Sequence, residues 1–193
     1  MIKKHIAIFA SGNGSNFEAI ARACAKNRVN AVVALLVCDN PNAFVIQRAK
    51  KFDIPVFEFQ PKNYASKADY ETEIVQILKK HNVDLICLAG YMRLVSDVLL
   101  NEYEGKIINI HPSLLPAFKG LNAIQQAFEY GVKLTGVTTH FVDKTMDGGT
   151  IIGQVAVPIG NCTLEELETH IHAVEHELYI NTINKIINYE NIT

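Results

Sequence analysis

Short apolar runs alternate with segments of helical period along this chain, and that alternation restricts it to stacked βαβ units. Runs at 5–10, 31–38, 56–59, 84–89 and 106–110 are rich in Ile, Val and Leu and too short for helices. Such runs mark strands buried on both faces. Between them, 15–27, 43–52 and 69–81 carry apolar residues three and four apart. The inward sets are Phe17, Ile20 and Ala21; Phe44, Ile46 and Ala49; and Ile74, Val75, Ile77 and Leu78. Strands that alternate with helices pair in parallel through crossovers. Ser96 predicts the N-cap of a short helix to about residue 101, and 122–130 predicts a helix closed by Gly131. The rhythm then changes. Runs at 135–142 and 150–157 flank a short loop with Asp147-Gly148-Gly149, which predicts an antiparallel extension of the sheet. Thr163 and Glu166 predict a capping box on a last helix to about residue 188. The expected class is α/β: a parallel N-terminal sheet continuing into a mixed C-terminal sheet, with helices on both faces. One domain, 1–193, is expected, its two halves meeting near residue 100.

The chain is 49% hydrophobic with a formal charge of −2. It can fill a core, and no global attraction to nucleic acid is expected, although a local anion site stays open. Cys24, Cys38, Cys87 and Cys162 are scattered and form no CxxC pair. Three sit among apolar neighbours and read as reduced core residues of a cytoplasmic protein. The opening apolar run is too short for a signal peptide or a membrane span. Asn161 and Asn191 begin Asn-x-Thr triplets, which read as chance matches without a secretory route.

Ligands of open α/β sheets bind at the carboxyl ends of the strands. Several motifs fall on that edge. Ser11-Gly12-Asn13-Gly14-Ser15-Asn16 follows the first strand and opens a helix. Its amides and the helix N-terminus suit a phosphate monoester. Phe17 stands where a dinucleotide fingerprint needs Gly or Ala, and a P-loop ending is missing. An ordinary tight βα turn is the plain alternative. Asp39 reads as the start of an Asp-Asn-Pro-Asn turn rather than a ribose ligand. Met92-Arg93 follows the fourth strand, where Arg93 could hold an anion or pack over a flat ring. Lys67 is either a cation near an anionic ligand or a solvated helix start.

Asn109-Ile110-His111-Pro112-Ser113-Leu114-Leu115-Pro116 ends the fifth strand. Asn109 and His111 are two apart and so share one side of it. Asp147 supplies a carboxylate on a glycine turn. An amide, an imidazole and a carboxylate suit acyl-type chemistry: Asn donates to an oxyanion, His moves protons, and Asp orients and charges the His. His172-Ala173-Val174-Glu175-His176 matches an inverted zinc-protease pattern. A polar helix face, or Glu175 reaching a substrate, are the other readings.

Over essentially its whole length the chain resembles the phosphoribosylglycinamide formyltransferase family. The resemblance rests on Ser11-Gly12-Asn13-Gly14-Ser15-Asn16, Ala89-Gly90-Tyr91-Met92-Arg93, the 109–116 stretch, Thr139-His140-Phe141-Val142 and Asp147-Gly148-Gly149. It implies a Rossmann-like formyltransferase fold. It implies Asn109, His111 and Asp147 as the catalytic trio. Gly14, Ser15, Asn16 and Glu175 would bind glycinamide ribonucleotide. Lys67, Met92, Arg93, Leu94, Val95, Asn109 and Asp143 would bind folate. Lys67 stands where many members carry Arg, so the charge is kept and the fork is lost. Asn122 and Ile124 stand where some members carry His, so histidines there are not required.

The implied reaction is formyl transfer from 10-formyltetrahydrofolate, as co-substrate, to the ribonucleotide amine in de novo purine synthesis. A tetrahedral oxyanion forms beside Asn109 and protonated His111, and Asp147 favours the charged imidazole. The resemblance implies no metal, no nucleic acid, no membrane, and a monomer or homodimer. The rivals are a 10-formyltetrahydrofolate deformylase, a methionyl-tRNA formyltransferase, and a folate- or nucleotide-binding module without catalysis. A first strand from residue 5 leaves no room for the deformylase's extra N-terminal domain. The tRNA enzyme usually adds a C-terminal nucleic-acid-binding domain, whereas this sequence stops soon after its last expected helix and is not basic.

Overall fold

The computed structural model describes residues 2–189. Asn191 of the second Asn-x-Thr triplet lies outside them. The elements follow the order β1 (Lys4–Phe9), α1 (Ser15–Ala25), β2 (Ala31–Cys38), α2 (Phe44–Lys50), β3 (Val56–Glu58), α3 (Lys67–Lys80), β4 (Leu85–Leu88), α4 (Asp97–Glu102), β5 (Ile107–His111), α5 (Ala123–Tyr130), β6 (Leu134–Phe141), β7 (Ile151–Pro158) and α6 (Leu164–Tyr189). They build one seven-stranded sheet in the order β3-β2-β1-β4-β5-β6-β7. The first five strands in that order are parallel. β6 and β7 are antiparallel additions. Strand order reverses between β1 and β4, which leaves a crevice at their carboxyl ends.

Alternation along β1 divides the core between two faces. Ile6 and Ile8 pack with Phe17, Ile20, Tyr179 and Ile183 of α1 and α6. Ala7 and Phe9 pack with Tyr70, Ile74, Leu78 and Leu99 of α3 and α4. Tyr179 is fully buried, and its hydroxyl donates to the Leu88 and Ile108 carbonyls at 2.8 and 3.1 Å, tying α6 to the two central strands. Ser96 accepts from Val98 N at the start of α4. The Thr163–Glu166 capping box is present, with Thr163 N donating to the Glu166 carboxylate at 2.7 Å and Glu166 N to the Thr163 hydroxyl at 3.2 Å. None of the described helices is long and apolar enough to cross a membrane.

Three expectations differ. Phe44 is 42% exposed rather than inward, because it carries the Arg48 guanidinium over its ring at 4.9 Å. Val45 takes the inward position, fully buried beneath the glycine loop. Helix α3 starts at Lys67 rather than Asp69, because Ser66 caps it by accepting from Asp69 N. Asp39 does not make the turn after β2. Asn40 does, its side-chain oxygen accepting from Asn42 N at 3.1 Å, and Asp39 pairs with a distant arginine instead.

Candidate active site

A cleft of about 1120 Å³ opens over the carboxyl ends of β1, β4 and β5 and the start of the 142–147 loop. The site residues that the resemblance implies line it: Gly14, Ser15, Asn16, Lys67, Met92, Arg93, Leu94, Val95, Asn109, His111, Asp143, Asp147 and Glu175.

The glycine loop is shaped by α2. Gly14 precedes α1 in the left-handed region at φ 77°, and a Cβ there would lie 2.3 Å from Val45 Cγ2. Val45 N donates to the Gly12 carbonyl at 3.1 Å. Arg48 donates through Nε and Nη2 to the backbone and side-chain oxygens of Asn13 at 2.9 and 2.8 Å. No side chain caps α1, so its first amides stay open to a ligand in the cleft. Asn16 is buried and donates to Glu175 at 3.2 Å, while its own side-chain oxygen has no partner. His172 Nδ1 also meets Glu175, at 2.8 Å, and that carboxylate holds the imidazole pKa above its usual value. The pairing occupies His172 Nδ1 with Glu175, and among the described residues no three His, Cys, Asp or Glu side chains gather as a metal group.

At the other end Met92, Leu94 and Val95 form an apolar wall, with Met92 and Leu94 each 63% exposed. Met92 N donates to the Ser11 hydroxyl at 2.9 Å, so the two loops are tied together. Arg93 Nε donates to Asp39 at 2.7 Å. Glu71 is 2% exposed, accepts from Ser96 N at 3.0 Å and from the Ser96 hydroxyl, and has Lys67 Nζ at 3.9 Å.

The trio converges between these ends. Asn109 and His111 lie on the same face of β5, as their spacing predicts. His111 is 5% exposed. Its Nε2 donates to the Phe118 carbonyl at 2.8 Å, since a carbonyl only accepts. That leaves Nδ1 facing Asp147 Oδ2 at 3.5 Å. The same carboxylate accepts from Gly120 N at 2.8 Å. Phe118 and Asp147 both adopt left-handed backbone, φ 52° and 48°. Such conformations persist where the surroundings hold them, and here they aim a carbonyl and a carboxylate at one imidazole.

His140, part of the Thr139-His140-Phe141-Val142 motif but assigned no role from it, also lines the cleft. It faces Asn109 across the β5–β6 ladder, with Nε2 at 3.2 Å from Asn109 Nδ2 and 3.8 Å from Asp147 Oδ1. Its Nδ1 donates to the Phe141 carbonyl at 2.7 Å. Burial lowers its pKa, so the ring is neutral and Nε2 accepts from the Asn109 amide. The signal available beforehand was register: once β5 and β6 pair antiparallel, position 140 falls opposite 109. Ser11 was likewise not singled out as a separate contact.

Chemically, one end of the cleft offers unpaired amides for an anion. The other offers an apolar slot with cations at its rim. An amide donor, an imidazole and a carboxylate lie between them. The family model described as formyl transferase matches residues 4–183. The chain is 53% identical over 189 residues to the phosphoribosylglycinamide formyltransferase of Bacillus subtilis (strain 168), covering 97% of each. It is 39% identical over 189 residues to the trifunctional purine biosynthetic protein adenosine-3 of Drosophila melanogaster, covering 96% of this chain and 14% of that protein. The crystal structure of glycinamide ribonucleotide transformylase 1 from Geobacillus kaustophilus superposes with a TM-score of 0.93 at 54% identity, covering 95% of this chain and 98% of that one.

Proposed function

Because the chain belongs to the formyl transferase family, we propose that it moves the formyl group of 10-formyltetrahydrofolate onto the amine of glycinamide ribonucleotide, a step of purine biosynthesis. The observation that carries this reading is the convergence of Asn109, His111 and Asp147 between an anion-binding loop and an apolar slot in one cleft. The ribonucleotide phosphate sits on Gly14, Ser15 and Asn16 at the N-terminus of α1. Glu175 takes the ribose or glycinamide end. The folate ring lies along Met92, Leu94 and Val95, beside Asp143, and its charged end reaches Lys67 and Arg93.

The amine attacks the formyl carbon and the carbonyl becomes an oxyanion; the oxyanion then reforms the carbonyl as the bond between the formyl carbon and the folate nitrogen breaks, the amine losing a proton and the departing folate nitrogen gaining one. Asn109 has two amide protons. One is held by His140, and the other is available to the oxyanion. His111 has Nε2 committed to Phe118, so the proton it can exchange lies on Nδ1, between the ring and Asp147. Asp147 is itself held by Gly120 N, which keeps it in place through the transfer. A cytoplasmic setting fits Cys24, Cys38 and Cys87, all buried free thiols, with burial pushing Cys24 up to about 11.

The test is to mix the protein with 10-formyl-5,8-dideazafolate and glycinamide ribonucleotide and follow release of the deformylated folate by absorbance. Release that depends on the ribonucleotide, with formyl recovered on its amine, is expected. Release without it, giving formate, would mean a deformylase. Binding of both ligands without release would mean a non-catalytic module.

A further inference from the structure

The glycine loop lies between the cleft and helix α2. Gly12, Asn13 and Gly14 line the cleft, whereas among the described residues none from α2 does. Two carbonyls of the loop are anchored on the α2 side. Gly12 O accepts from Val45 N at 3.1 Å, and Asn13 O accepts from Arg48 Nε at 2.9 Å. Both peptides are trans, so each C=O and the N–H that follows it point in opposite directions. The Asn13 and Gly14 N–H groups are therefore turned away from α2, toward the cleft. Neither donates to another backbone group among the described residues.

The Gly12–Asn13 peptide is held by backbone, but the Asn13–Gly14 peptide depends on a side chain. Gly14 sits at φ 77°, and a flip of that peptide would carry it to a negative φ that glycine adopts as readily. Arg48 opposes the flip with a guanidinium fixed from several sides. Besides the Nε bond, Nη2 donates to Asn13 Oδ1 at 2.8 Å, Nη1 pairs with Glu18, and the group lies over the Phe44 ring. The Arg48 side chain is 19% exposed, and Glu18 offsets its charge. What it passes to the cleft is an orientation rather than a field.

We propose that Arg48 is a positioning residue for the ribonucleotide phosphate, acting from outside the cleft by locking the Asn13–Gly14 peptide with its N–H toward that phosphate. The proposal rests on the phosphate placement given above. A phosphate gains from amides already aimed at it, because no ordering of the loop is then spent on binding. Released from Arg48, the peptide would sample the flipped orientation, which presents a carbonyl to the phosphate in place of an N–H. The loss falls on the phosphate and leaves the chemistry at Asn109 and His111 untouched.

The test compares the wild type, Arg48→Met and Arg48→Lys with glycinamide ribonucleotide and with the dephosphorylated glycinamide riboside. Met keeps an unbranched stem over Phe44 and removes every donor. Arg48→Met is expected to raise the ribonucleotide KM about tenfold, the size of one lost hydrogen bond to a charged group, with kcat and the folate KM unchanged. Lys supplies a point charge without the fork, so Arg48→Lys is expected to recover only part of the loss. In calorimetric titrations without folate, Arg48→Met is expected to bind the ribonucleotide more weakly by the same factor and the riboside as well as the wild type does. General loosening of the fold would not produce that split. The ratio of variant to wild-type KM is expected to persist at about 0.5 M salt, where a purely coulombic contribution is screened. An unchanged ribonucleotide KM, equal losses for both ligands, or a ratio that vanishes in salt overturns the proposal. Should Arg48→Met fail to fold, Arg48→Lys decides: a raised ribonucleotide KM with unchanged riboside binding supports the proposal, and wild-type values overturn it. Absence of ribonucleotide binding by the wild type counts against the transferase reading instead, so the two failures are distinguishable.

Discussion

The Asn109 side-chain amide donates to His140 Nε2 at 3.2 Å across the β5–β6 ladder, because His140 has already committed Nδ1 to the Phe141 carbonyl. The interaction fixes the carboxamide plane on one side and leaves its second N–H outside that contact. In the proposed transfer that N–H serves the reacting carbonyl, and His140 is proposed as a positioning residue. His140→Ala is expected to lower kcat about tenfold, the size of a misplaced rather than deleted oxyanion donor, with both KM values little changed. His140→Gln supplies a carbonyl acceptor in place of Nε2 and is expected to recover part of the loss. A rise in ribonucleotide KM with unchanged kcat would contradict this role.

The same histidine makes stability depend on pH. Burial lowers its pKa from 6.5 in the folded protein. The unfolded chain then binds the proton more readily than the folded one. The contribution is complete above about pH 6.5 and is lost as pH falls toward the lowered folded value. His176 acts in the same direction, and His172, with a raised pKa, acts oppositely. Urea midpoints at pH 7.5 and 5.5 isolate the His140 part. The acid-side loss is expected to be smaller in His140→Gln than in the wild type. An identical loss in both proteins rules out this contribution.

Gly149 ends the loop that carries Asp147. A Cβ at that position would lie 1.9 Å from the Phe141 carbonyl oxygen, a backbone atom in β6. Gly149→Ala is expected to destabilise the fold by about 1–3 kcal/mol, the usual cost of overpacking, and to lower kcat by displacing the carboxylate. Urea denaturation measures the first effect and steady-state kinetics the second. Wild-type values in both would mean that the loop relaxes freely.

The glycine loop bears on one substrate only. Ser15→Ala and Asn16→Ala are expected to raise the ribonucleotide KM by about two- to tenfold, the size of one lost hydrogen bond, and to leave the folate KM unchanged. Asn16→Ala also deprives buried Glu175 of a donor, so it is expected to be the larger of the two. A pure kcat effect would remove the phosphate from this loop.

Much of the fold was legible because period-two and period-3.6 patterns rarely coincide here. The parallel units, the antiparallel pair after residue 134 and the capping box at Thr163 all follow from local residues. Asn109 and His111 were legible for the same reason, since a spacing of two on a strand fixes a shared face. What depended on distant partners was not. Asp39 and Arg93 are 54 positions apart, and no local pattern turns an apparent turn-former into an ion-pair partner. Phe44 looked like a core residue until Arg48 supplied a cation for its ring. The Phe118 carbonyl that orients His111 is a backbone group in left-handed geometry, a conformation that a phenylalanine does not advertise.

On the proposed mechanism Asp147, facing His111 Nδ1 at 3.5 Å, serves the transfer and not the binding. Asp147→Asn keeps the shape and the contact to Gly120 N while removing the charge. The measurement is kcat and both KM values for this variant against the wild type. A fall in kcat of about 100- to 1000-fold, with both KM values nearly unchanged, is the predicted result. Turnover near that of the wild type, or a comparable loss of folate affinity, would contradict the account.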